Sequence, residues 1–262
     1  LALVKLHSGR IHINSLFRFY QELNDFLPNE KKQKEFNYHF QGTPSIKDSI
    51  EAIGVPHTEV DLILVDGESV DFNYRLKGGE KISVYPVFES FDISGLNRLR
   101  PEPLRETKFI LDVHLGTLAR YLRMAGFDTA YRNNLDDPEI AQISKTDHRI
   151  VLTRDIGLLK RSEVRRGYWV RNTDPDKQFV EVMNRLHLAS KIKPFRRCLT
   201  CNGEIVEVSK DTIMHLLPPR TKKFYNDFRR CSNCGKIYWK GSHYHKMLRK
   251  IHCLLESNHE NS

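Results

Sequence analysis

The chain has 262 residues, enough for about two domains at the usual ~100–200 residues each. It carries 42 Lys and Arg against 33 Asp and Glu, a formal charge of +9, with 39% hydrophobic and 29% charged residues. That balance argues against a disordered or collagen-like chain, and the apolar runs fall far short of the ~20 residues a bilayer-spanning helix needs, so no membrane partner is expected. No apolar stretch with a small-residue cleavage site marks the N-terminus for secretion, which points to a cytoplasmic location. The chain opens on Leu1 rather than Met, which leaves room for residues ahead of it.

The charge is uneven. Residues 1–100 hold 12 basic and 14 acidic side chains, and residues 101–262 hold 30 and 19. A near-neutral half is thus followed by a strongly basic one. Basic surfaces suit polyanionic partners, because Lys and Arg displace condensed counterions from phosphates. A merely solubilising surface accounts for the charge equally well.

The first hundred residues read as mixed α and β. Strands are expected at Ile11–Phe19 and Phe36–Phe40. Ser45 is placed to cap a helix running to Ile53, with Asp48 at its third position, and Gly54 and Pro56 stop it. Strands follow at Asp61–Val65, Val70–Phe72 and Lys81–Val87, separated by turns at Asp66-Gly67 and Gly78-Gly79. This order fits a small α+β, β-grasp domain over residues 1–94. His57 and Glu59 are candidates for a small site, against which turn and surface roles weigh more heavily. Residues 95–106, with Pro101 and Pro103, read as a linker.

Residues 107–193 alternate strand and helix. Strands are expected at Lys108–Asp112, Asp128–Tyr131, Ile150–Thr153 and Tyr168–Arg171. Helices are expected at Leu115–Ala125, from Asp137-Pro138 onward, at Ile156–Lys160 and at Pro175–Leu186. This rhythm predicts an α/β domain with a parallel sheet. In such sheets ligands bind beyond the carboxyl ends of the strands. Asp112, Asp136-Asp137 with Glu139, Asp155 and Asp174 all fall there. Clustered carboxylates need a cation, and all-oxygen ligands suit Mg²⁺ or Mn²⁺. Such an ion supports phosphodiester hydrolysis. Asp112 and Asp155 are the expected ligands, with Asp137 and Asp174 as further catalytic candidates. A strand-end Asp is also the ordinary helix cap, a reading that fits Asp137 and Asp174. Arg120 and Arg123, three apart on one helix, and Arg154 are candidates to hold RNA phosphates, against a solvated face or a surface ion pair.

Residues 194–252 carry Cys198-x2-Cys201 and Cys231-x2-Cys234, 29 residues apart. Two residues between paired cysteines let both thiolates reach one tetrahedral Zn²⁺, so a zinc ribbon is expected, with residues 253–262 as a tail. Cys253 reads as a packing thiol. The module is strongly basic, with aromatics among the charges. Lys222, Lys223, Arg229 and Arg230 are the expected RNA contacts. His243 is a further one, or a cap of the following helix. Trp239 reads as core.

Residues 45–60 (Ser45-Ile46-Lys47-Asp48 and Ile50 to Val60) and Gly79 to Pro86 resemble the ubiquitin-like domain that precedes certain PIN-like ribonucleases. Gly78-Gly79 lies inside the domain rather than at a free tail, so conjugation and sulfur transfer are not expected. Lys108 to Asp112, Leu115 to Asp128 and Val151 to Asp155, with the cysteine module, resemble the PIN-like ribonuclease domain of the Mut-seven C-terminal family. The resemblance implies a PIN-type fold, a divalent metal and ribonuclease chemistry on RNA, with tRNA or rRNA as candidates. PIN nucleases commonly place their second acidic residue in a helix, and here that choice stays open among Asp136, Asp137 and Glu139. A non-catalytic RNA- or ribosome-binding adaptor is the rival reading, and a protein partner for the ubiquitin-like domain suits either.

Overall fold

The computed structural model describes residues 6–7, 10–11, 13–86, 99 and 107–256, so most of the expected linker at 95–106 lies outside the described residues. Two compact units form. The first comprises residues 1–105 with 155–169, and the second residues 106–154 with 170–262. The units therefore do not follow a linear division at the linker.

In the first unit, β1 (Ile13–Phe19), β2 (Phe36–Phe40), α1 (Ile46–Ile53), β3 (Val60–Val65), β4 (Glu68–Ser69) and β5 (Lys81–Pro86) follow in order. The sheet runs β2-β1-β5-β3-β4, with β1 and β5 parallel and the other neighbours antiparallel, the arrangement of a β-grasp. Alternation along β1 and β5 turns Phe17, Phe19, Ile82 and Val84 inward, where Ile46 and Ile50 of α1 meet them. Ser45 caps α1 by accepting from Asp48 N at 3.1 Å. The expected strand at Val70–Phe72 does not form. Asp66 and Gly67 both adopt positive φ, a tight turn that pairs Glu68 directly with Val65. Asp71 then begins a turn of its own, accepting from Asn73 N at 2.8 Å, and the chain leaves the sheet.

Two further elements belong to this unit, α4 (Ile156–Leu159) and β9 (Gly167–Trp169). The second unit holds β6 (Lys108–Leu111), α2 (Gly116–Ala125), β7 (Asp128–Ala130), α3 (Asp137–Asp147), β8 (Ile150–Thr153) and α5 (Pro175–Arg185). Strand β6 pairs in parallel with β7 on one side and β8 on the other. Phe109, Ile110, Leu111, Val151 and Leu152 are buried, as expected for strands covered on both faces. After α5 comes an antiparallel three-stranded ribbon, β10 (Ile205–Val208), β11 (Phe228–Cys231) and β12 (Ile237–Trp239), with α6 (Lys210–Ile213) and α7 (Pro219–Phe224) between its first two strands. The closing helix α8 (Ser242–Glu256) passes residue 252 and carries Cys253 exposed, not packed. Asp176 of α5 accepts from Tyr121 of α2 at 2.9 Å and pairs with Lys250 of α8, which ties the three helices together.

Glu80, buried at the start of β5, is a single point on which several loop groups converge. Its carboxylate accepts from Ser15 Oγ (2.5 Å), Lys77 N (2.5 Å) and Gly78 N (2.9 Å). Burial alone raises its pKa, but these donors outweigh burial and hold it below the ordinary 4.5. A depressed folded-state pKa contributes stability above the ordinary value, and that contribution is lost as pH falls through the folded one. Glu80→Gln is expected to cost about 2 kcal/mol at neutral pH. Urea denaturation should show the difference from the wild-type chain shrinking below pH 4.5.

Candidate functional site

The acidic residues singled out in the sequence occupy different environments. Asp112 directly follows β6. Because Leu111 pairs with Leu152, Asp112 lies beside Thr153 at the carboxyl edge of the sheet, and Asp112 N donates to Leu152 O at 3.1 Å. Asp112 is 6% exposed, and its Oδ2 accepts from Thr153 Oγ1 at 2.8 Å. It precedes a 3₁₀ turn at Val113–Leu115 without capping it. A carboxylate this buried, held by one hydroxyl, is costly without a cation or further donors.

Asp136, Asp155 and Asp174 serve as helix caps. Asp136 and Glu139 form a reciprocal capping box on α3, with Asp136 Oδ1 accepting from Glu139 N at 2.8 Å and Glu139 Oε2 from Asp136 N at 3.2 Å. Asp137 is the first helical residue, where a carboxylate favours the positive end of the helix dipole. Asp155 caps α4, its Oδ1 accepting from Gly157 N at 2.6 Å. Asp174 caps α5, its Oδ1 accepting from Lys177 N at 3.0 Å. Among the described residues the group of three or more His, Cys, Asp or Glu side chains placed to hold a metal ion is the set of four cysteines. Asp112 with water and phosphate oxygens nevertheless fits the way Mg²⁺ is commonly held, through one or two carboxylates.

Two arginines depart from expectation. Arg120 is exposed, but Arg123 on the same helix is 5% exposed. Its guanidinium donates to Thr129 O (2.9 Å), Tyr131 O (3.4 Å), Leu199 O (3.3 Å) and Thr200 O (3.2 Å). Burial lowers its pKa, against the opposing pull of Cys198, Cys201 and Asp128. Arg123 is thus no phosphate contact. It fastens the first cysteine turn to α2 and β7. Asn202 adds two bonds, accepting from Thr129 N at 2.8 Å and donating to Asp128 Oδ1 at 2.7 Å. Arg154 donates from Nη1 to the carbonyls of Val170 (3.1 Å), Arg171 (2.6 Å) and Asn172 (2.6 Å), so it braces the chain that follows the sheet.

Glu181 of α5 was not foreseen. It accepts from Arg171 N (2.8 Å), Asn172 N (3.0 Å) and Asn172 Nδ2 (2.6 Å), holding the same stretch from the helix side. Its main partners are backbone N–H groups, which leave no trace in residue types.

The four cysteines converge. Their Sγ atoms lie within 4.8 Å of one another, with Cys198 to Cys234 at 3.6 Å and Cys201 to Cys231 at 3.4 Å. Tetrahedral bonds of ~2.3 Å put sulfurs about 3.8 Å apart, so the set fits a metal ion. Supporting donors are in place. Tyr238 OH donates to Cys198 Sγ at 3.0 Å, and Asn233 N to Cys231 Sγ at 3.4 Å. A Cβ on Gly203 would sit 2.8 Å from Cys231 Sγ, so this turn admits only glycine close to the sulfurs. Burial raises the Cys198 pKa, but Tyr238 and nearby backbone N–H groups outweigh it and bring the thiol to about 6. Burial and the neighbouring sulfurs push Cys201 to about 12. Without a cation the sulfurs resist a second negative charge, which a bound ion would permit.

The remaining basic candidates lie on the ribbon and its helices. Lys223 and Arg230 are exposed and Lys222 half-buried. Lys223 Nζ lies 5.6 Å from the ring centre of Phe224, which is 69% exposed. Arg229 pairs with Glu207 at 3.1 Å and lies over the Phe195 ring. Arg230 Nε donates to Gly235 O at 3.3 Å. His243 is exposed in the first turn of α8. Trp239 packs in a small core with Phe228 and Tyr225, as expected. Among the described residues no helix is long and apolar enough to cross a membrane.

Arg123→Met should leave four carbonyls without their donor. It is expected to lower unfolding stability by about 2–4 kcal/mol. Urea denaturation of the metal-loaded chain measures this, and a loss under about 0.5 kcal/mol would contradict the clamp.

The family described as the Mut7-C RNAse domain matches residues 107–251, and the one described as Mut7-C ubiquitin matches residues 13–92. No curated protein and no solved structure matches the chain. The first match spans more than half of the sequence and takes in the parallel sheet, Asp112 and all four cysteines, and the second covers the β-grasp sheet. This chain therefore belongs to the Mut7-C RNAse domain family, with a Mut7-C ubiquitin domain ahead of the nuclease-type fold.

Proposed function

We propose that the protein is a metal-dependent ribonuclease that hydrolyses RNA phosphodiester bonds, with tRNA or rRNA as candidate substrates. The observation that carries this reading is Asp112, a buried, non-capping carboxylate at the carboxyl edge of a parallel sheet in a domain of RNase family. Asp112 and Asp155 are the proposed ligands of Mg²⁺ or Mn²⁺, which when bound supplies an activated water and charge stabilisation at the phosphate. Thr153 fixes one oxygen of Asp112, which restrains the carboxylate before any ion arrives. Asp137 is the remaining candidate for the helix-borne acid, since Asp136 and Glu139 engage each other. Arg154 and Glu181 hold the chain leading to Asp174 from opposite partners, which keeps that edge of the sheet ordered for substrate.

The ribbon is proposed to bind Zn²⁺ structurally and to hold RNA. Exposed Phe224 beside Lys222 and Lys223 offers a stacking face with cations for the backbone, a combination suited to unpaired bases. Arg120, Arg229, Arg230 and His243 would extend this contact. Thiolate ligation suits a reducing compartment, in keeping with a cytoplasmic location. The rival reading, an RNA- or ribosome-binding adaptor, draws support from the capping roles of Asp155 and Asp174.

Labelled single-stranded RNA incubated with Mn²⁺ should be cleaved by the wild-type chain. Asp112→Asn should cut more slowly by about 100-fold or more, with RNA binding retained. Equal cleavage by both proteins would reject the proposed mechanism, and tight binding without any metal-dependent cleavage would favour the adaptor. Native mass spectrometry should find one zinc per chain, absent in Cys201→Ser. A folded, metal-free wild-type chain would refute the zinc assignment.

A further inference from the structure

Tyr131 follows directly on β7. That strand pairs with β6 through Lys108 with Asp128, Phe109 with Thr129 and Ile110 with Ala130, so Tyr131 leaves the sheet at its carboxyl edge, where Asp112 leaves β6. The Tyr131 hydroxyl donates to Val113 O at 2.9 Å, the carbonyl of the residue after Asp112. From the other neighbouring strand, Thr153 holds the Asp112 carboxylate itself. The acid is therefore fixed by two hydroxyls, one on its side chain and one on the backbone beside it. The Val113–Leu115 turn between Asp112 and α2 is 3₁₀, closed by Leu115 N donating to Asp112 O at 3.0 Å. Bonds in such a turn have poorer geometry than in an α-helix, so a bond from outside bears on where the turn sits.

Gly116, the first residue of α2, keeps room for that hydroxyl. Its φ of −60° and ψ of −36° suit any residue, so backbone freedom does not call for glycine here. Space does. A Cβ at this position would lie 2.6 Å from Tyr131 Oη and 2.9 Å from its Cζ. Alanine is the stronger helix former, yet it would press on the hydroxyl. The backbone of Tyr131 is held as well. Its carbonyl accepts from Arg123 Nη2 at 3.4 Å, and the same guanidinium holds Thr129 O, Leu199 O and Thr200 O. The first cysteine turn, Arg123, Tyr131 and the turn after Asp112 thus form one connected run, all of it within the second unit.

We propose that Tyr131 is a positioning residue of the nuclease: its hydroxyl, bonded to Val113 O, sets the turn that follows Asp112 and so holds this carboxylate in place for Mg²⁺ or Mn²⁺. This rests on the ribonuclease reading above and deepens it. Tyr131 acts through Asp112 and not on the reacting atoms. A role in fold stability alone is the competing explanation. The two separate at the ion, because a misplaced carboxylate weakens metal binding, whereas a general loss of stability loosens the whole chain.

The test uses the full chain. Mn²⁺ binding is read without RNA by electron paramagnetic resonance of the free ion, with Asp112→Asn marking the level of binding elsewhere on the chain. Cleavage of labelled single-stranded RNA and amide hydrogen exchange are measured beside it. Tyr131→Phe keeps the ring and loses the hydroxyl. Its Kd for Mn²⁺ is expected to rise about 10-fold and its kcat at one fixed Mn²⁺ concentration to fall about 10-fold, the lower end of what supporting residues around a metal contribute, with KM for RNA within about twofold. Exchange should rise in peptides covering 112–117 and stay unchanged in peptides from the ribbon and the β-grasp sheet. Should Tyr131→Phe not fold, Gly116→Ala carries the test: it keeps every hydrogen-bonding group, displaces the hydroxyl and should weaken Mn²⁺ binding by about threefold or more. Unchanged Mn²⁺ affinity in Tyr131→Phe would overturn the proposal whatever kcat does. So would exchange raised evenly along the chain, which assigns Tyr131 to stability. A wild-type chain that binds Mn²⁺ at Asp112 and cuts no RNA would instead overturn the nuclease reading, and the Mn²⁺ affinities would then decide on Tyr131. A wild-type chain with no Mn²⁺ binding above Asp112→Asn would overturn both.

Discussion

The pairing of Leu111 with Leu152 governs the chemistry available to the second unit. In a parallel pair the register decides which side chains stand next to each other at the strand ends. Here it sets Asp112 beside Thr153, and the hydroxyl closes on the carboxylate at 2.8 Å. Ile110, Leu111, Val151 and Leu152 are packed on both faces of this pair, and that packing holds the register. The position of the candidate acid is thus held by apolar packing several ångströms away from it.

The cysteine module depends on the nuclease-type fold in the same way. Asp128, at the start of β7, accepts from Arg149 at 2.6 Å and from Asn202 at 2.7 Å, and Arg197 approaches it at 3.4 Å. Burial raises its pKa, but these cationic and amide partners hold it below the usual carboxylate range. With Arg123 it forms a polar joint in which nearly every donor has an acceptor. Polar groups buried this way specify one arrangement, since any alternative leaves them unpaired. The first knuckle therefore has a docked position independent of what the ribbon binds.

Legibility in the sequence followed the range of the interaction. Ser45 as a cap, the two cysteine pairs, and strands such as Phe36–Phe40 and Ile150–Thr153 are local patterns, and the structure forms them where the residues suggest. Arg123 defeated the same reasoning. Helical spacing put it with Arg120, but its environment is set by Leu199 and Thr200, more than seventy positions away. The contacts of His57 with Val164 and of Glu59 with Trp169 were hidden for the same reason, and Val70–Phe72 was misjudged because the tight turn before it pairs Glu68 directly with Val65. The acidic residues illustrate a further limit. Strand-end position is shared by caps and by metal ligands, and only the hydrogen-bond partners distinguish Asp112 from Asp174.

The discontinuity of the first unit bears on how the chain is made. Its contacts to Val164 and Trp169 join residues 107 and 110 positions apart. During synthesis at ~5–20 residues per second, the first 105 residues are complete for several seconds before Trp169 leaves the ribosome. Through that interval His57 has Glu51 but not the carbonyl of Val164, and Glu59 does not yet have Trp169 N. The ubiquitin-like domain thus gains contacts from residues 155–169 of the chain that follows it, so its folding is not closed at residue 105.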